Sequence, residues 1–166
     1  VKIPPGNSPG GLSLGNMTLV AGTSYDFGLG GANATCGAAD GYDQIKVTGT
    51  VTLGNGTLNT LLYNGFKPAK DQKYTIIDND ASDAVSGTFN NLAEGATFTV
   101  NGYVFKISYV GGDGNDVVLS VQTIPTTPDT GFKLIQNNPI LTLISTTILA
   151  GAMLGLARKY QKFTNR

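Results

Sequence analysis

The chain has 166 residues with eleven basic and eleven acidic side chains, 23 glycines, one cysteine, no histidine and no tryptophan. Charged residues are 13% of it, about half the usual quarter, and the excess of Gly with abundant Thr and Asn favours turn-dense β structure over helix bundles. The missing histidine excludes Ser-His-Asp and Cys-His catalysis and His-ligated zinc, because each needs an imidazole.

Residues 1–11 read as the end of a preceding repeat or a linker. Val1-Lys2-Ile3-Pro4-Pro5 has neither the charged nor the apolar region of a signal peptide and no initiating Met, so the chain is expected to be the C-terminal part of a longer exported protein. Residues 12–121 alternate short apolar runs with Gly, Asn and Asp. The runs predict strands over Leu12–Leu14, Met17–Val20, Tyr25–Leu29, Gln44–Thr48, Thr50–Leu53, Thr57–Leu62, Lys73–Ile77, Val85–Phe89, Thr97–Val100, Tyr103–Val110 and Val117–Val121. Gly15-Asn16, Gly54-Asn55-Gly56, Asn64-Gly65 and Asn101-Gly102 are turn signals, since Gly and Asn tolerate positive φ. No helical period precedes residue 130, which leaves a sandwich, a barrel or a β-solenoid. The tight corners between Leu12 and Leu19 and between Val47 and Leu58 favour a solenoid, and Tyr103 to Val121 reads as a closing hairpin over its end.

The succession Pro5-Gly-Asn-Ser-Pro-Gly10, Tyr42-Asp-Gln-Ile-Lys-Val-Thr-Gly-Thr-Val-Thr-Leu53, Asn64-Gly-Phe66, Tyr74-Thr-Ile-Ile77, Val85-Ser-Gly-Thr-Phe89 and Phe105 to Leu119 resembles the end of an autotransporter-associated β-strand repeat region, the β-helical passenger stem of bacterial surface proteins. The resemblance implies an all-β, right-handed parallel β-helix (solenoid) end with an antiparallel hairpin cap. Where that family carries an outer-membrane barrel, one C-terminal transmembrane helix is expected instead.

Residues 122–139 form a Pro/Thr-rich neck with little capacity to pack. Residues 140–157 then run eighteen positions without a charge, about 27 Å as a helix and enough to cross a bilayer. Arg158, Lys159, Lys162 and Arg166 follow in the basic tail 158–166 as a membrane stop. Seven bases face eleven acids before the tail, so the neutral chain is −4 ahead of residue 158 and +4 after it. By the positive-inside rule the tail is cytoplasmic and the N-terminal side extracellular. Pro128, Asp129, Thr130 and Gly131, the apolar run and the basic tail together are similar to the Leu-Pro-x-Thr-Gly cell-wall sorting signal, with Thr127 in place of Leu. That similarity implies a sortase that cuts between Thr130 and Gly131 and joins the chain to an amine of the cell wall or of a pilin.

Gly111-Gly-Asp-Gly-Asn-Asp-Val-Val-Leu119 matches the calcium-binding nonapeptide of repeats-in-toxin proteins, with Asp113, Asn115 and Asp116 as oxygen donors. Those sites draw ligands from tandem copies and the chain has one, so a hairpin turn and no bound metal is expected. The carboxylates Asp40/Asp43 and Asp78/Asp80/Asp83 are expected to be solvated turn caps. Cys36, a lone thiol, has no internal disulfide partner.

These features lead to the expectation of a cell-surface-anchored structural or adhesin-type stalk with no enzymatic activity and no cofactor, displaying an N-terminal region that meets a host-cell or other surface ligand. The acidic exported part argues against nucleic acid as a partner. The alternatives are a polysaccharide-active β-helix enzyme fragment and a pilin-like subunit assembled by sortase.

Overall fold

The computed structural model describes residues 1–3, 5, 6, 8–34, 38–80 and 82–126. Their strands are β1 (Lys2–Ile3), β2 (Gly11–Leu14), β3 (Met17–Val20), β4 (Ser24–Leu29), β5 (Gln44–Val47), β6 (Val51–Gly54), β7 (Thr57–Leu62), β8 (Lys73–Asn79), β9 (Ser86–Thr88), β10 (Thr97–Val100), β11 (Tyr103–Gly111) and β12 (Asp116–Thr123). Period-two alternation makes these segments strands: Met17 and Leu19 of β3 are buried and Thr18 and Val20 exposed, and Val51 and Leu53 repeat the pattern in β6. The turns follow the Asn-Gly signals. Asn55, Asn64 and Asn101 take φ of 60, 52 and 50°, and Asn101-Gly102 closes a two-residue hairpin in which Val100 pairs with Tyr103.

Two sheets are three-stranded and wholly parallel, in the orders β1-β4-β7 and β3-β6-β9. The third is six-stranded and mixed, in the order β10-β11-β12-β8-β5-β2. Its β2-β5-β8 half is parallel and its β8-β12-β11-β10 half antiparallel. In the parallel ladders equivalent positions sit side by side: Leu12, Ile45 and Ile77 are in register, as are Met17 with Val51 and Leu19 with Leu53. Like thus packs on like in the shared interior.

The chain is all-β as expected, but the parallel solenoid end with a hairpin cap is not what forms. The parallel ladders stop at β7 and β9, no closed coil stack is completed among the described residues, and the largest sheet reverses direction at β8. The physical reason lies in the connections. A two-residue Asn-Gly turn after β10 and a short Gly-rich turn after β11 can join only antiparallel neighbours, so β10, β11 and β12 form a meander that enters the sheet through β12 instead of capping an end. No helix occurs among the described residues, and none there is long and apolar enough to cross a membrane. The helix expected over 140–157, the motif Pro128 to Gly131, the basic tail and Cys36 lie outside the described residues.

Within residues 1–11, β1 pairs with β4, and β12 runs on to Thr123, which is in register with Val104.

The interior is lined by aliphatic side chains from all three sheets and by a chain of rings. Tyr74 meets Tyr42 edge-on at 5.2 Å, Tyr42 meets Phe27 at 6.1 Å, Phe27 meets Tyr25 at 6.3 Å, Tyr25 meets Phe89 at 6.5 Å, and Phe89 meets Tyr109 at 6.3 Å. Such offset and edge contacts add to the area these rings bury.

Candidate functional site

Chemistry-bearing side chains gather in two buried clusters and on one outer sheet face. The first cluster is centred on Asp43, just before β5, which is fully buried. Its Oδ1 accepts from the backbone N–H of Gly10 (2.6 Å), and its Oδ2 accepts from the N–H of Gly28 (2.8 Å) and from Ser8 Oγ (2.7 Å). One carboxylate therefore ties the entry to β2, the middle of β4 and the start of β5. Gly28 permits the approach, since a Cβ there would lie 2.6 Å from Tyr63 Cε2 and 2.8 Å from Asp43 Oδ2. Charge-assisted bonds to backbone N–H groups are strong in a dry interior. The expectation that Asp43 is a solvated turn cap is corrected by this burial. The available sequence signal was Gly28 inside a strand pattern, which marks close approach of another group.

The second cluster joins the β11–β12 turn to the segment after β8. Asp116 Oδ1 accepts from Asn79 N–H at 2.9 Å. Asn79 Nδ2 donates to the Asp83 carbonyl at 2.8 Å, and Asn115 Nδ2 donates to the carbonyls of Asp80 (3.3 Å) and Asp83 (3.2 Å). Burial holds the Asp116 carboxyl above its usual range; the Asn79 N–H works against that shift, while Asp78 and Asp113 reinforce it. Asp113 is exposed, whereas Asn115 and Asp116 are buried. The three sequence-predicted oxygen donors thus share one turn but not one focus: Asn115 and Asp116 face backbone partners more than 30 positions back in the chain. Among the described residues no group of three or more His, Cys, Asp or Glu side chains is arranged to hold a metal.

Of the remaining acids, Asp78 pairs with Lys46 at 3.6 Å and Asp26 with Lys2 at 3.5 Å, both near the surface, where such pairs contribute little. Tyr109 works as a further strut: its hydroxyl donates to the Leu92 carbonyl (2.6 Å) and accepts from the Phe89 N–H (3.0 Å), while its own N–H donates to Glu94 Oε2 (2.6 Å). Burial pushes that phenol up to about 12, against the lowering effect of the Phe89 N–H.

The outer face of β8, β12 and β11 carries an open cleft of about 500 Å³, lined by Lys73, Thr75, Lys106, Ser108, Val118 and Ser120 among others. A second, of about 430 Å³, runs between β7 and β10 and is floored by Leu58, Thr60 and Phe98. Comparison with protein-family models, with curated proteins and with solved structures finds no match for the chain.

Proposed function

We propose that the chain is a non-catalytic structural module held at a bacterial cell surface, with the β-sheet unit outside and the C-terminal segment in or through the membrane. The observation that carries the structural half of this reading is the use of the buried polar groups. The oxygens of Asp43 accept from two backbone N–H groups and a serine hydroxyl, and Asp116 and Asn115 bind the backbone around Asn79 to Asp83. These groups act as cross-ties between strands and turns distant in sequence, an arrangement that stiffens a scaffold. The charge-free run 140–157 and the four bases behind it support the anchor, and the similarity of Pro128 to Gly131 to a sorting motif supports processing at Thr130.

The test is fractionation of cells expressing the chain, with protease applied to intact cells and an intact-mass measurement of the surface form. The reading expects membrane or wall association and cleavage within residues 1–126 from outside. A product ending at Thr130 supports sorting, and one retaining the tail supports a permanent anchor. Recovery of the chain in the soluble cytoplasm, protected from external protease, overturns the surface reading.

A further inference from the structure

Residues 1–126 contain six bases, all lysine. Lys2 and Lys46 are ion-paired. Lys73 and Lys106 are exposed, and among the described residues neither has a carboxylate within ion-pair distance. The sheet register brings these two together. Lys73 on β8 is paired with Ser120 on β12, and Ser120 with Lys106 on β11, so the three form one row across three strands. The next row on the same face is Thr75, Val118 and Ser108. Side chains on one face of a sheet project the same way, and neighbouring strands lie about 4.8 Å apart, so the two lysines start roughly 9.5 Å apart with a hydroxyl between them.

We infer that this face is a binding site for an acidic oligosaccharide, a linear chain of sugars carrying carboxylates. Two unpaired ammonium groups two strands apart suit two anionic groups on a repeating ligand, because lysine meets each as a mobile point charge. Ser120, Ser108 and Thr75 offer hydroxyls to the sugar hydroxyls between the charges. Val110, 65% exposed at the end of the cleft, offers an apolar surface to a ring face. The cleft is open and flanked by Gly111 and Gly112, which admits an extended polymer. Glu94 also lines it, with Oε2 engaged by the Tyr109 N–H, and its negative charge disfavours an anion at that edge and biases the ligand toward the lysine row. Among the described residues no aromatic side chain lines the cleft, so they offer a nucleic acid no base-stacking platform there. This site does not depend on whether the chain is surface-anchored.

The experiment titrates the full chain, in detergent micelles, with trigalacturonate and with its neutral counterpart trigalactose, following amide shifts by NMR. The acidic trimer is expected to bind, with shifts at residues 73–75, 106–108 and 118–120, and the neutral one to bind at least about tenfold more weakly. The double substitution Lys73→Gln/Lys106→Gln should weaken binding by about tenfold or more, while Lys73→Arg/Lys106→Arg should stay within about threefold of the parent. Lys67→Gln/Lys70→Gln removes the same net charge from the loop before β8 and should also stay within about threefold. Equal binding of the two trimers, indifference to the Lys73/Lys106 pair, an equal loss from the Lys67/Lys70 pair, or tighter binding of a single-stranded DNA or an acidic peptide of equal charge would each overturn the assignment.

Discussion

At the scale of single residues, Asp43 holds more of the fold than any other charged group described. Replacing it by Ala strands the buried N–H groups of Gly10 and Gly28 and the Ser8 hydroxyl. An orphaned buried donor costs about 1–3 kcal/mol. Asp43→Ala is therefore expected to destabilise by about 3 kcal/mol or more, as read from the urea midpoint. Asp43→Asn should recover part of this, because its amide oxygen replaces one acceptor while its NH₂ faces a donor. A loss below about 1 kcal/mol for the Ala variant would show that the cross-tie is not needed. At its own position Asp43 was not legible in the sequence, and Gly28 signalled a close approach without naming the group that makes it. An acid in Ala-Asp-Gly-Tyr-Asp looks like a wet turn, and its burial is decided by residues 15 to 35 positions away.

At the scale of elements, alternation and Asn-Gly turns were enough to place β3, β7 and β10 at their observed bounds. Alternation says which way a side chain points, but not which strand lies alongside. The pairing of β12 with β8 is therefore invisible locally, and the parallel stack extrapolated from the first ladders failed there. The β11–β12 turn was legible as a turn, but its attachment to Asn79, Asp80 and Asp83 was not. Asp116→Asn tests that attachment. The amide keeps an acceptor for Asn79 N–H and removes a charge that burial, Asp78 and Asp113 disfavour. Because the folded carboxyl titrates above its unfolded value, the folded state binds the proton more readily, and wild-type stability falls as pH rises through that interval. The variant should be no less stable than wild type at neutral pH and up to about 1 kcal/mol more so, with the gap narrowing on acidification. Thermal melts of both proteins between neutral pH and pH 4 measure this, and a gap that widens in acid would contradict it.

For the whole molecule, the run of rings makes high pH the point of weakness. Tyr25, Tyr42, Tyr74 and Tyr109 all have phenols raised above their ordinary value, burial being the first cause in each. The sign follows directly: below about pH 10 these phenols are neutral in both states, and above it the unfolded chain ionises first. Stability should fall steeply from about pH 10 upward, with tyrosine ionisation and loss of β-sheet circular dichroism occurring together. Ionisation of all the tyrosines well before the sheet signal is lost would show that the rings are accessible. The all-β class and the turn-rich composition were readable from residue counts. The mixed sheet was not, because it depends on one strand entering between two others.

That strand, β12, has a consequence for how the molecule would respond to force. It leads directly to Thr126, and it is hydrogen-bonded to β11 on one side and β8 on the other. Among the described strands β12 is the one that a pull at Thr126 meets first, and extracting it means breaking two ladders together. The rest of the unit is thereby shielded until both give way. Peeling at Thr126 is a cooperative rupture, and β12 serves as the clamp that sets its threshold.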